Sequence, residues 1–402
     1  MLKKICYICL IFCILRVSFA QQYKIVLEDI SESDITVGAA RTEAYVPLLQ
    51  GKKVALCANH TSLVNGVHLL DTLLALGVDV VKVFTPEHGF RGDVEAGKKI
   101  SHSIDNQTKI PIVSLYGSNK KPTAEQLLHI DIILFDIQDV GARFYTYLST
   151  LHYIMEAAAE QKVKVIVLDR PNPNGFFVDG PVLDTAFRSF VGMHPVPIAT
   201  GMTIGEYAKM INGEKWLKNN LRCDLQVIPV FGYMHFFRYT PSVAPSPNLQ
   251  NIEAIYLYPS LCWFEGTKMS VGRGTEKPFM LLGHPDFPIG DIFFTPKSIP
   301  SVAENPPCIN QKCRGFDLSN LAKNVLKNGN FIAVDLLVEC YKNFPDKAHF
   351  FTSSFDRLAG NRSLREQIMA GKSAQEIQSS WQKDLEKFKN IRKKYLLYPD
   401  FE

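Results

Sequence analysis

Between Lys53 and Val230, short apolar runs alternate with segments whose apolar residues recur at helical spacing. Lys53–Ala58 reads K-V-A-L-C-A and Ile130–Ile137 reads I-D-I-I-L-F-D-I. Val80–Phe84, Pro111–Tyr116, Val163–Leu168 and Leu225–Val230 have the same character. Such runs suit parallel strands covered on both faces. Val67–Leu76 and Tyr147–Gln161 read as helices; Leu148, Leu151, Met155 and Ala158 share one face of the second. A short helix is expected over Thr123–His129, and Thr203 with Glu206 makes a capping box opening a helix to Leu217. Strands alternating with helices mean βαβ units, so the fold class is α/β with a Rossmann-like, mostly parallel sheet. Right-handed crossovers send the loops after the strands to one edge. Asn59–Ser62, Glu87–Arg91, Gln138–Arg143 and Asp169–Asn174 are therefore expected to converge where open α/β sheets bind ligands.

From about Tyr233 the rhythm changes. Pro241–Asn248 is rich in Pro and Ser, Glu253–Trp263 is aromatic and apolar, and Phe264–Phe279 is a polar, Gly-rich cluster. Asn320–Lys327 and Ile332–Phe344 predict helices. Ser373 with Glu376 caps a helix reaching about Arg392, with Ile377, Trp381 and Phe388 on its apolar face. The expected organisation is a signal peptide at 1–20, a Rossmann-like catalytic domain over 21–235 and a smaller α+β domain over 236–402.

The 402 residues supply ample core for such an arrangement. Lys3 and Lys4, the apolar run Ile5–Leu15 and the small residues Ser18 and Ala20 form a secretory signal cut before Gln21. The expected location is periplasmic or secreted, with no stable membrane insertion. Without Lys3, Lys4 and Arg16 the formal net charge drops from +4 to +1, which gives nucleic acid no basic patch to bind. Cys57, Cys223, Cys262, Cys308, Cys313 and Cys340 remain after the signal, and Cys308–Cys313, in a Pro-rich loop, is the expected disulfide. No G-x-G-x-x-G follows the first strand and no phosphate-binding G-x-x-x-x-G-K-[ST] occurs, so no nucleotide cofactor is expected. His60, His88 and His102 lack a ligand spacing, and no metal is expected.

The densest set of functional groups is the loop after Val80–Phe84, where Glu87, His88 and Arg91 are followed by Gly92 and Gly97. Other carboxylates stand at Asp136, Asp139, Glu265 and Glu276. Glycoside hydrolysis commonly uses two carboxyl groups flanking the scissile bond, one of them kept protonated by its surroundings. Phe144, Tyr145 and Tyr147 are candidates to stack on a sugar. Each group has a plainer reading beside this one. Asp136 and Asp139 suit a strand-end turn; His88 suits a satisfied polar group; Glu276 suits an ion pair with Arg273 or Lys277. Arg91, Arg143, Arg170 and Arg273 are either structural or partners for a bound carboxylate.

These residues resemble the NamZ-type exo-β-N-acetylmuramidases, a glycoside hydrolase family formerly known as a domain of unknown function. The resemblance rests on Pro86–Gly92, Asp136–Tyr147, Leu168–Pro173, Gly180-Pro181, Pro245–Asn248, Phe264–Thr267 and Ser270–Thr275, with Ser379–Trp381 and Tyr395–Tyr398 near the end. It covers essentially the whole chain after the signal. It implies an active-site cleft between the Rossmann-like and C-terminal domains, and release of N-acetylmuramic acid from the non-reducing end of peptidoglycan fragments, such as a MurNAc–GlcNAc disaccharide. Glu87 matches the glutamate of the family's Pro-Glu-His-Gly motif and is expected to be the general acid. Glu265 is the expected second carboxylate, as nucleophile, base or electrostatic stabiliser, with Glu276 in reserve. His88, Arg91, Asp139, Arg143, Tyr145, Arg170, Asn172 and Arg273 are expected to bind substrate. Lys268 departs from the family pattern, where Asn is expected in many members, and adds a cation for the lactyl carboxylate. The alternative is a periplasmic sugar- or muropeptide-binding protein without catalysis, which should carry a second βαβ series; residues 233–402 show none.

Overall fold

A computed structural model describes residues 35–87, 89–91, 103–328 and 332–402, with only the backbone for 324–328. The expected signal peptide and His88 lie outside the described residues. The first half contains β1 (Lys53–Ala58), β2 (Leu63–Val64), β3 (Val67–His68), β4 (Asp79–Thr85), β5 (Ser103–Ile104), β6 (Pro111–Ser114), β7 (Ile132–Asp136), β8 (Lys164–Leu168) and β9 (Leu225–Ile228). Seven of these form one sheet in the order β5-β6-β4-β1-β7-β8-β9, with β2 and β3 pairing apart from it. Every pair in the large sheet is parallel except β5 with β6. The chain starts at β1, winds outward through β4 to β6, then returns to the other side of β1 at β7. The order reverses between β1 and β7, the topological switch point where such sheets bind ligands.

Alternation along the strands shows why these runs are apolar throughout. Ala55 and Cys57 of β1 face one core, and Val54, Leu56 and Ala58 face the other. Ile133 and Phe135 of β7 share the first, and Ile132 and Leu134 the second. Helices Tyr147–Gln161 and Ile204–Gly213 cover the first face; Thr42–Leu49 and Leu69–Ala75 cover the second. The first core continues into the second half through Trp263, Phe264, Phe355 and Trp381. The second half therefore packs on one face of the sheet.

That half opens with helix Ile252–Leu261, capped by the Asn251 side chain, and runs into a 3₁₀ turn, Cys262–Gly266. It then forms an antiparallel sheet of β10 (Leu281–His284), β11 (Ile292–Phe294) and β12 (Cys313–Asp317), ordered β10-β12-β11, followed by helices ending in Ala374–Arg392. Gly283 and Gly315 face each other in the β10–β12 register. A Cβ on Gly315 would stand 1.9 Å from the Leu282 carbonyl oxygen, so this pairing needs the bare backbone. The chain end returns to the first half: Arg392 is buried, ion-paired with Asp400 at 2.7 Å and bonded to the Gly201 carbonyl.

The capping boxes at Thr203/Glu206 and Ser373/Glu376 both form. The first helix stops at Gly213 rather than Leu217, and the expected helix over Thr123–His129 is a single 3₁₀ turn, Glu125–Leu127. Cys308 and Cys313 are neighbouring thiols in hydrogen-bonding contact rather than a disulfide.

Candidate active site

Glu87 sits two residues beyond β4, at the carboxyl edge of the sheet. Gly89, two residues further on, has φ +81°, a conformation natural to glycine. The loop after β7 brings Phe144, Tyr145, Thr146 and Tyr147 to the same edge, and the Thr146 hydroxyl lies 3.4 Å from Glu87 Oε2. This loop is fixed by hydrogen bonds. Asn59, just past β1, donates to the Tyr147 hydroxyl at 2.9 Å, and the Tyr145 hydroxyl donates to the Pro245 carbonyl at 2.6 Å. The Tyr145 and Tyr147 rings meet edge-on at 4.7 Å, and Tyr258 packs against Tyr145, Phe144 and Phe279 to complete an aromatic wall.

The second half closes the cavity. The 3₁₀ turn after helix Ile252–Leu261 presents Glu265, whose Oε1 accepts from Arg273 Nη1 at 2.8 Å. Arg273 stands between Gly272 and Gly274, both at positive φ, at the crest of a tight loop. Burial works against the guanidinium charge, but the Glu265 carboxylate outweighs it and holds the Arg273 pKa above its usual value. The buried Cys262 thiol lies 3.9 Å from Glu265 Oε2. Ser246, Asn248, Val191 and Leu358 finish a cavity of about 210 Å³. Two of its polar atoms, Arg273 Nε and Asn248 Oδ1, are buried without a partner among the described residues. The Asn248 amide orientation is fixed because its nitrogen donates to the Val302 carbonyl at 3.1 Å.

Glu87, Glu265, Arg273 and Tyr145 thus meet in one cavity. The other expected site residues are placed elsewhere. Arg91 is forked between Asp71 at 2.8 Å and Asp105 at 3.0 Å. Arg170 grips the buried Asp136 with two donors. Arg143 is buried and donates to four carbonyls, those of Pro181, Val196, Leu358 and Ala359. Burial pushes its pKa down to about 10. Asn172 bonds the backbone of Met202 and Asn174. Asp139 Oδ1 accepts from the Gly141 amide, and burial pushes the carboxyl up to about 7. These five are held by their own partners and do not line the cavity. Lys268 is exposed and also outside the lining. Glu276 is exposed on the outer side of the Arg273 loop, in a separate open concavity with Lys277, Phe294 and Lys297. Among the described residues no group of three or more His, Cys, Asp or Glu side chains is arranged to hold a metal.

Tyr258, Asn248 and Tyr116 escape a reading of the sequence. Tyr258 lies in an apolar helix and looks like core. Asn248 ends a Pro-rich stretch and looks like a turn. Tyr116 ends an expected strand, yet burial and then the Glu87 charge raise the pKa of its phenol. Only the pairing of β6 with β4 brings the ends of these two segments to one edge.

Comparison with known proteins shows the family of the chain. Family models described as "Exo-beta-N-acetylmuramidase NamZ" match the chain in two parts, the N-terminal model over residues 54–253 and the C-terminal model over residues 256–398. The chain is 39% identical over 378 residues to the peptidoglycan beta-N-acetylmuramidase NamZ of Bacillus subtilis, covering 88% of this chain and 89% of that protein. A crystal structure of a DUF1343 family protein from Bacteroides fragilis superposes with a TM-score of 0.85 at 47% identity, covering 91% of this chain and 99% of that one. A second DUF1343 protein from the same organism gives 0.76 at 29% identity, covering 90% and 99%. The chain belongs to the NamZ exo-beta-N-acetylmuramidase family.

Proposed function

We propose that this chain is an exo-acting glycoside hydrolase that releases N-acetylmuramic acid from the non-reducing end of peptidoglycan fragments. The observation that carries the reading is the meeting of Glu87 and Glu265, one from each half of the chain, in a single cavity. Two carboxyl groups across one small space are what glycosidic bond cleavage uses. The activity named for the Bacillus subtilis relative supports the same reaction. The volume supports exo action: about 210 Å³ is below the ~300 Å³ where drug-sized ligand pockets begin, so it suits one terminal sugar.

In this reading Glu87 gives its proton to the glycosidic oxygen as the bond to the sugar carbon breaks. Glu265 meets the positive charge that develops at that carbon, as nucleophile, base or stabiliser. The aromatic wall stacks on the sugar ring. Arg273, with Nε unpartnered, takes the lactyl carboxylate, and Asn248 Oδ1 accepts from the acetamido N–H. A non-catalytic sugar-binding protein is not favoured, because the second half carries an antiparallel sheet and helices rather than a second parallel sheet. The secretory pattern at residues 1–20 supports export to the periplasm or medium, where cell-wall fragments would be recycled. Among the described residues no helix is long and apolar enough to cross a membrane.

The test is incubation with a MurNAc–GlcNAc disaccharide and with a longer MurNAc-terminated glycan, with products identified by mass. Free MurNAc and a glycan shortened by one residue are expected. Internal cleavage, or recovery of both substrates intact, would refute the reading.

A further inference from the structure

Glu265 meets a donor on each of its oxygens. Oε1 accepts from Arg273 Nη1 at 2.8 Å, and Oε2 faces the Cys262 thiol at 3.9 Å, within reach of a sulfur donor. The chain spacing explains the second contact. Cys262 and Glu265 are the first and fourth residues of the 3₁₀ turn Cys262–Gly266, and side chains three apart in such a turn eclipse one another. The turn itself has little freedom. The Cys262 amide donates to the Tyr258 carbonyl, Trp263 and Phe264 are fully buried, and a Cβ on Gly266 would stand 2.6 Å from Phe355 Cα. The thiol is buried, yet it lines the same cavity as Glu265, Arg273 and Glu87. Burial first, then the Glu265 charge, push its pKa well above the usual thiol value, so it stays protonated and acts as a donor.

We infer that Cys262 is a positioning residue for Glu265: with Arg273 it fixes the carboxylate from two sides and holds it as the charged partner of Glu87. The inference rests on the hydrolase reading above. A carboxylate with a donor on each oxygen is set to meet charge at the sugar carbon, not to release a proton to the leaving oxygen. As the carbon–oxygen bond breaks, its electron pair goes to the leaving oxygen and Glu87 supplies that oxygen's proton. The fixed Glu265 carboxylate meets the cationic carbon that remains. A thiol is a weak donor, but a hydrogen bond to a charged oxygen is stronger in a buried site than in water. Its contribution is orientation, since a carboxylate free to rotate loses its alignment with the reacting carbon.

A buried cysteine is otherwise a small apolar residue, and a packing role ranks substitutions in the opposite order from a donor role. Alanine suits packing better than serine, whose hydroxyl is costly to bury. Serine suits donation better than alanine, which has no donor. Cys262→Ala, Cys262→Val, which fills the thiol's space, and Cys262→Ser are therefore assayed on the MurNAc–GlcNAc disaccharide and on 4-nitrophenyl β-N-acetylmuramide. Thermal unfolding confirms the fold of each. For the two variants without a donor, kcat is expected to fall about tenfold on both substrates with KM within about twofold, because Glu265 acts at the carbon the substrates share. Cys262→Ser should stay within about threefold of the parent. An alanine or valine variant at least as active as the serine variant, a loss confined to KM, or a loss on the disaccharide alone would overturn the inference while leaving the hydrolase reading intact. Failure of the unmodified protein to release MurNAc would overturn both.

Discussion

Arg273 donates to Glu265 at 2.8 Å while its own Nε, buried at the cavity, has no partner among the described residues. The side chain has donors in excess of what Glu265 uses, and these point to an anionic ligand group. A lysine would keep the charge and lose the planar fork. Arg273→Lys is expected to lower kcat/KM on a muramyl substrate about 10- to 100-fold, and to cost much less on an analogue without the lactyl acid. Parallel steady-state kinetics on the two substrates measure this. Equal losses on both would remove Arg273 from carboxylate recognition.

The strands of the large sheet were legible because both of their faces are buried. β1, β7 and β8 read as unbroken apolar runs, and each run touches two cores. β10 and β12 were not legible. They are short, each is broken by a glycine that the close pairing requires, and β12 carries Arg314 and Asp317. At the site, Glu87, Glu265, Arg273 and Tyr145 showed in loops dense with polar and Gly residues. Arg91, Arg143 and Arg170 looked the same from sequence, because an arginine in a polar loop carries no sign of its partner. Arg143 reaches carbonyls more than two hundred residues away, at Leu358 and Ala359.

The four carbonyls on Arg143 predict a structural rather than a catalytic phenotype. The group joins the loop after β7 to helix Phe355–Ala359, and Leu358 of that helix lines the cavity. Arg143→Met is expected to leave buried acceptors unpaired and to cost about 3 kcal/mol or more. The urea midpoint of unfolding should fall accordingly. A variant as stable as the parent but inactive would place Arg143 on the substrate instead.

Asp139 predicts a pH dependence of stability. Burial raises its carboxyl from the ordinary carboxylate range to about 7, and its Oδ2 has no partner among the described residues. Between pH 3.8 and about 7 the folded chain holds a proton that the unfolded chain has lost. Its stabilisation is therefore complete at low pH and fades as pH rises to about 7. Asp139→Asn, which does not titrate, should gain on the parent across that window by about 1–3 kcal/mol. Denaturant titrations at pH 5 and pH 8 measure the difference. A constant offset between the two proteins would contradict the assignment.

His152 acts in the opposite sense. Burial, then the Arg188 charge, push it down to about 4; Glu156 and Lys121 complete its charged surroundings. His194 Nε2 stands 2.9 Å from its Nδ1, and the Tyr207 hydroxyl 3.0 Å from His194 Nδ1. As pH falls from 6.5 to about 4 the unfolded chain takes up a proton that the folded chain refuses, so stability drops. His152→Gln should flatten that drop by about 1–2 kcal/mol in the same titration carried down to pH 4.5. An unchanged slope would show that His152 does not carry the acid sensitivity.

The central claim is that Glu87 protonates the leaving sugar. The direct measurement is turnover of the MurNAc–GlcNAc disaccharide by Glu87→Gln, with MurNAc release followed by mass and the fold confirmed by thermal unfolding. The account predicts a fall in kcat of about 10²- to 10⁴-fold with little change in KM. Turnover at the parent rate by the folded variant would contradict it.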